Sequence, residues 1–115
     1  MNFAKPILIC DENESFRNLL RDMLVKNGFF HVVEATTPEE IIDTLRGKKE
    51  YFALIHSTVL TPELIGLLSQ NNNFIIFADN TQNETISIAA RLGVKHILSY
   101  PFHSRKLLEK INSLS

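Results

Sequence analysis

Ile7-Leu8-Ile9-Cys10-Asp11-Glu12-Asn13-Glu14-Ser15-Phe16-Arg17 decides how this chain is read. Four apolar residues stop abruptly at an acidic pair, and an amphipathic stretch follows. Phe16, Leu19, Leu20, Met23 and Leu24 recur at helical spacing, opened by Ser15 and closed at Gly28. Four more short apolar runs lie downstream, at His31–Glu34, Ala53–His56, Phe74–Ala78 and His96–Ser99. Counted from Ile7, successive starts fall 24, 22, 21 and 22 residues apart. Each run is too short for a helix and rich in Ile, Val or Phe, as expected of strands buried on both faces.

The stretches between the runs carry helical punctuation. Thr37-Pro38-Glu39-Glu40 sets a capping Thr, a Pro at the first helical position and a Glu at the third. Ile41, Ile42 and Leu45 follow, ending at Gly47. Pro62-Glu63-Leu64 opens a short third helix of about two turns, which Asn71-Asn72-Asn73 ends. Glu84 to Leu92, closed by Gly93, is the fourth, and Ser104 to Leu114 the fifth, with Leu107, Leu108, Ile111 and Leu114 inward. Strand and helix alternate five times, so right-handed crossovers make the strands parallel. The fold class is α/β: a flavodoxin-like, doubly wound (βα)5 sandwich, its five-stranded parallel sheet in the order 2-1-3-4-5. Residues 1–115 form one domain, without linker or low-complexity tract.

Composition narrows the function. A net charge of −1 gives no basic surplus for nonspecific nucleic-acid binding. The one basic cluster, His103, Arg105, Lys106 and Lys110, shares the last helix with Glu109 and suits a solvated face. The single cysteine, Cys10, ends an apolar run, so it is expected to be buried and inert in a reducing compartment. No secretory leader follows the N-terminus and no apolar run approaches a membrane span, which points to the cytoplasm. The four histidines form no zinc pattern, and Gly28, Gly47, Gly66 and Gly93 form no nucleotide cradle. No Ser-His-Asp order stands out, so no enzymatic role is assigned and no cofactor is expected.

In a sheet of this order, function collects at the carboxyl ends of the strands. There stand Asp11-Glu12, Ser57-Thr58, Ala78-Asp79 and Tyr100-Pro101. The opening run through Arg17, with Ala89-Ala90-Arg91-Leu92-Gly93-Val94-Lys95-His96-Ile97-Leu98-Ser99-Tyr100-Pro101-Phe102, resembles the receiver domains of two-component response regulators. The resemblance runs over essentially the whole chain, the acidic pair and the Pro-Phe being its most specific motifs. It implies that two acids after strand 1 and an Asp after strand 3 hold Mg²⁺. That Asp also takes phosphate from a histidine kinase, while a hydroxyl after strand 4 and a Lys after strand 5 bind the phosphoryl oxygens. Matched residue by residue, Asp11 and Glu12 stand at the acidic pair and Ser57 at the phosphoacceptor. Ala78 stands at the hydroxyl, Ile97 at the switch aromatic and Tyr100 at the lysine. His56 and Thr58 flank the acceptor position, and neither is a carboxylate. The resemblance also implies a cis peptide before Pro101, against a plain loop proline.

Each departure has a consequence. A serine hydroxyl is not a phosphoryl nucleophile without a base. His56 is adjacent but alternates to the other face, so it suits a hydrogen-bonded core histidine better. Ala78 offers no hydrogen bond, and an ordinary tyrosine is neutral until about pH 10. Two readings stand for Asp11-Glu12: a solvated strand-end loop, or a weak Mg²⁺ site. The sequence thus points to a degenerate receiver that signals by binding. The resemblance implies that its contact surface is the fourth helix, fifth strand and fifth helix, with Arg91, Lys95, His96, Tyr100, His103 and Arg105. A partner protein or a second copy of the chain would dock there. The alternatives are a working regulator phosphorylated on Ser57 or Thr58, and a small flavodoxin-like enzyme or cofactor binder.

Overall fold

Residues 7–10 form the interior strand β1 (Ile7–Cys10) because all four are apolar and can be buried on both faces at once. The computed structural model describes residues 5–47, 49–70, 73–79, 97–100 and 102–114, without the side chains of Asp79, Tyr100 and Leu114. The predicted fourth helix (84–92), Gly93, Arg91, Lys95, His96 and the peptide before Pro101 lie outside the described residues. The remaining elements are α1 (Glu14–Lys26), β2 (Val32–Ala35), α2 (Pro38–Leu45), β3 (Phe52–His56), α3 (Pro62–Leu68), β4 (Phe74–Asp79), β5 (Ile97–Tyr100) and a C-terminal helix (Ser104–Leu114). A single 3₁₀ turn, Ser57–Val59, joins β3 to the loop before α3. The sheet is parallel throughout, in the order β2-β1-β3-β4-β5, as the alternation predicts.

Period-two alternation divides the core into two layers. Leu8, Cys10, Ala53, Ile55 and Ile76 face Ile41, Ile42, Leu64 and Leu68 of α2 and α3. Ile7, Ile9, Leu54, Ile75 and Phe77 face Leu20 and Leu24 of α1 with Leu107 and Ile111 of the C-terminal helix. Each buried Leu, Ile or Phe among these stabilises the fold by roughly 1.5–3 kcal/mol.

Local chemistry fixes where the helices begin. The Thr37 hydroxyl accepts from Glu40 N–H at 3.2 Å and the Thr61 hydroxyl from Leu64 N–H at 3.1 Å, each followed by Pro at the first helical position. The Glu40 carboxylate reaches back to Thr36 N–H, one residue beyond the usual reciprocal partner. Gly28, at φ 92°, closes α1 while Phe29 N–H bonds back to Leu24 O at 2.9 Å.

Five details differ from the sequence reading. Asn13, not Ser15, caps α1: its side chain accepts from Phe16 N–H at 2.9 Å, and Ser15 lies inside the first turn. Leu19 is 41% exposed, because the α1 stripe narrows to Leu20 and Leu24 where it meets the sheet. Strand β2 is an edge, with Val32 and Val33 half-buried and Glu34 exposed, so it is not buried on both faces. Helix α2 stops at Leu45 with Arg46 as its cap, before Gly47. Strand β2 runs one residue later than predicted, β4 starts at Phe74 as predicted and ends one residue later, β3 starts one earlier, and the described part of β5 extends to Tyr100. Of the predicted inward residues on the last helix, Leu107 and Ile111 are buried and Leu108 is half-buried.

Candidate functional site

Strand register brings the predicted positions to one end of the sheet. Cys10 pairs with Ile55, His56 with Phe77, and Ala78 with Ser99, so Asp11, Ser57, Ala78 and Tyr100 all stand at or just past the carboxyl ends. Asp11 N–H continues the ladder to Ala35 O at 3.2 Å, and the residue is only 3% exposed. Its Oδ1 accepts from Asn13 N–H at 2.9 Å, so the turn that presents the acid also sets the Asn13 cap. Glu12 points outward and is exposed.

Arg17 braces this corner from α1. One guanidinium nitrogen donates to Asp11 O at 2.9 Å, while Nε meets Glu34 Oε1 at 3.0 Å and Arg21 meets Glu34 Oε2 at 2.6 Å. Burial alone would raise the Glu34 pKa, but the hydrogen bonds and charges of Arg21 and Arg17 outweigh it and hold the carboxyl below its usual range. Burial, then the neighbouring Asp11 charge, pushes the Cys10 thiol far up, so it is a protonated core residue at neutral pH, as its place in an apolar run implies.

A cleft of about 710 Å³ opens beside the acids, lined by Asp11, Glu12, Asn13, Ser15, Phe16, Leu19, His56 and Thr58. Ser57 is buried at 6% exposure and does not line this cleft. His56, read from sequence as a core histidine, is instead half-buried at the cleft wall. Its Nδ1 lies 2.9 Å from the Thr58 hydroxyl and accepts from Thr58 N–H at 3.3 Å. Its ring packs edge-on against Phe16 at 5.5 Å. Ala78 is fully buried, and Ile97 is half-buried against the α2–α3 layer. Tyr100 ends β5 opposite Asp79.

The donors do not amount to a tight Mg²⁺ site. Two carboxylates come from consecutive residues, one of them already accepting an amide, and no cluster of three His, Cys, Asp or Glu that could hold a metal occurs among the described residues.

No family model matches the chain. It is 27% identical over 117 residues to the chemotaxis protein CheY of Bacillus subtilis, covering 95% of this chain and 96% of that protein. The crystal structure of the receiver domain of NtrX from Brucella abortus superposes with a TM-score of 0.78 at 16% identity, over 94% of this chain and 96% of that one. The fold is that of a CheY-like receiver domain. A CheY-like receiver domain protein from Methanospirillum hungatei agrees, with a TM-score of 0.75 at 22% identity, covering 95% of this chain and 91% of that one. Among the described residues, no helix is long and apolar enough to cross a membrane.

Proposed function

We propose that this receiver domain signals by binding a protein partner, without an aspartyl phosphate as its input. One observation carries the reading: where the family holds its acceptor, hydroxyl and lysine, this chain has Ser57, Ala78 and Tyr100, while Asp11-Glu12 remains. A buried serine hydroxyl is a poor phosphoryl nucleophile, a methyl cannot hold a phosphoryl oxygen, and a phenol brings no cation at neutral pH. Ile97 in place of the switch aromatic fits the same reading. The acidic pair then serves as a hydrated, weakly held Mg²⁺ site at most. No step of catalysis is assigned to it, and the domain is a signalling module rather than an enzyme.

The partner surface we favour is β5 with the C-terminal helix. A second cleft of about 480 Å³ runs there, lined by Ile97, Leu98, Ser99, Phe102, His103, Lys106 and Lys110. His103, Arg105 and Lys106 are exposed, so an acidic partner face, or a second copy presenting one, is the complementary match. Arg91, Lys95, His96 and Tyr100 would extend it. The cytoplasm, where a lone buried thiol is ordinary, is the compartment we assign.

Mixing the protein with Mg²⁺ and acetyl phosphate, or with beryllofluoride, tests the reading. Intact mass should stay unchanged, and the amides of Asp11, Glu12 and Asn13 should shift only weakly with Mg²⁺. A saturable beryllofluoride response together with an acid-labile phosphate adduct overturns it. A second reading, phosphorylation as an ester, has one favourable observation: Thr58 is exposed and its hydroxyl is bonded to His56 Nδ1. An acid-stable phosphate mapped to Thr58 or Ser57 in cells would favour that reading.

A further inference from the structure

Asn27 and Gly28 close α1 at the end of the helix opposite the acidic corner. Gly28 N–H bonds to Val25 O at 3.2 Å and Phe29 N–H to Leu24 O at 2.9 Å, the paired bonds by which a left-handed glycine ends a helix. Asn27 adds a side-chain lock. Its Nδ2 donates to Met23 O at 2.7 Å, a carbonyl at the helix end that needs a partner from outside the ladder.

The same pair carries chemistry of its own. Of the asparagines in the chain, Asn27 alone is followed by glycine. Asparagine is thermolabile, because the nitrogen of the next residue can attack its side-chain carbonyl. Glycine has no Cβ to hinder that approach, and the space beside Gly28 where a Cβ would stand is open. Asn27 is also exposed to the water that the reaction consumes. The bond from Gly28 N to Asn27 Cγ forms as Cγ–Nδ2 breaks, and the Gly28 amide proton leaves with Nδ2 as ammonia. Water then opens the cyclic imide at either carbonyl, giving aspartate or isoaspartate. In the closed cap both partners are held apart, the amide by Met23 O and the Gly28 nitrogen by Val25 O.

We propose that Asn27–Gly28 is a deamidation site gated by opening of the last turn of α1, and that its product is a weakened cap, an irreversible mark of the molecule's age. Aspartate sets a carboxylate against Met23 O in place of a donor, at the end of the helix where free carbonyls already concentrate negative potential. Isoaspartate also routes the main chain through the former side-chain carbons, adding a methylene ahead of Phe29, which is 6% exposed. The added length reaches His31, whose carbonyl accepts from Ile7 N–H at 2.9 Å where β2 joins β1. None of this depends on the reading of the acidic corner.

The test is to age the full chain at neutral pH and follow every asparagine by peptide mass spectrometry, with fragmentation that separates isoaspartate from aspartate. Conversion should be fastest at Asn27. It should rise roughly five- to thirtyfold in unfolding urea, the factor that a cap of ordinary strength withholds. Asn27→Gln would have to close a larger ring, so conversion there should be lost. Asn27→Asp, which carries the product from the start, should fold with hydrogen-exchange protection at the Gly28 and Phe29 amides down roughly fivefold. Conversion elsewhere as fast as at Asn27, or none in a period in which the urea-unfolded chain reacts to completion, overturns the site. A rate unchanged by urea, or one raised about a thousandfold or more as global unfolding alone would require, overturns the local gate. Protection as high in Asn27→Asp as in the parent overturns the weakened cap.

Discussion

Arg17 is the residue that turns two loose carboxylates into a built corner. It ties the carbonyl of Asp11 to the side chain of Glu34, and Arg21 completes the triad from one turn further along α1. Glu34 gains from both cations, so its folded pKa lies below the ordinary value near 4.3. The sign follows by linkage: this stabilisation is fully present above the unfolded value and is lost as pH falls through the folded one. Glu34→Gln should lower unfolding free energy by about 1 kcal/mol at pH 7. The gap between urea melts of the two proteins should hold at neutral pH and narrow as pH falls below the ordinary carboxylate range. A gap as wide in acid as at neutrality would show that Glu34 acts by packing rather than charge. The place of Asp11 and Glu12 at the end of β1 is legible in the sequence because the apolar run stops at them. The Arg17–Glu34–Arg21 triad is not, since it depends on how β2 sits beside α1. His56 and Thr58 escape for a related reason. His56 keeps the alternation of Phe52 and Leu54 and packs on Phe16, but it is the last residue of β3, where that layer opens into the cleft, so it is half-buried rather than core.

Elements are the most readable scale, because caps and breakers act within a few residues. Thr37-Pro38, Thr61-Pro62 and Gly28 each do in the structure what their chemistry implies. Boundaries drift where two cappers compete, as Asn13 does with Ser15, or where a strand is an edge, as β2 is. Two glycines separate backbone strain from helix propensity. Gly28 sits at φ 92° with open space where a methyl group would stand, so Gly28→Ala costs only the left-handed backbone strain, about 1–2 kcal/mol. Gly66 lies inside α3 with nothing near and an ordinary helical backbone, so Gly66→Ala should stabilise by about 0.5–1 kcal/mol. Thermal melts should therefore move in opposite directions for the same chemical change. A loss at Gly66 would mean that the short α3 is held away from its solvent face.

The whole molecule is predictable in topology because five βα units of nearly equal length leave few ways to pack two layers on one sheet. Its site is less so, since the carboxyl ends of the strands lie far apart in sequence, and the proposed reading mixes positions that match a receiver's pattern, Asp11 and Glu12, with positions that depart from it, Ser57, Ala78 and Tyr100. That mixture sets the largest test. Ser57 is buried beside the end of β1, where Asp11 is also buried. Ser57→Asp would put a third carboxylate there without the cation that the family supplies after strand 5. At pH 7 it should lower stability by about 1–3 kcal/mol, the usual range for a poorly compensated buried polar group. The deficit should shrink in acid, because burial and like charge raise a carboxyl's pKa and protonation relieves both. Mg²⁺ should restore stability to Ser57→Asp and barely affect the parent, since only the variant has the added carboxylate with which to bind the ion in the folded state. Pairing it with Tyr100→Lys should recover part of the loss even without metal, a coupling that a double-mutant cycle reads directly. If Ser57→Asp alone were neutral, metal-insensitive and stable across pH, the acidic corner would be a solvated loop and the receiver chemistry would have gone from it altogether.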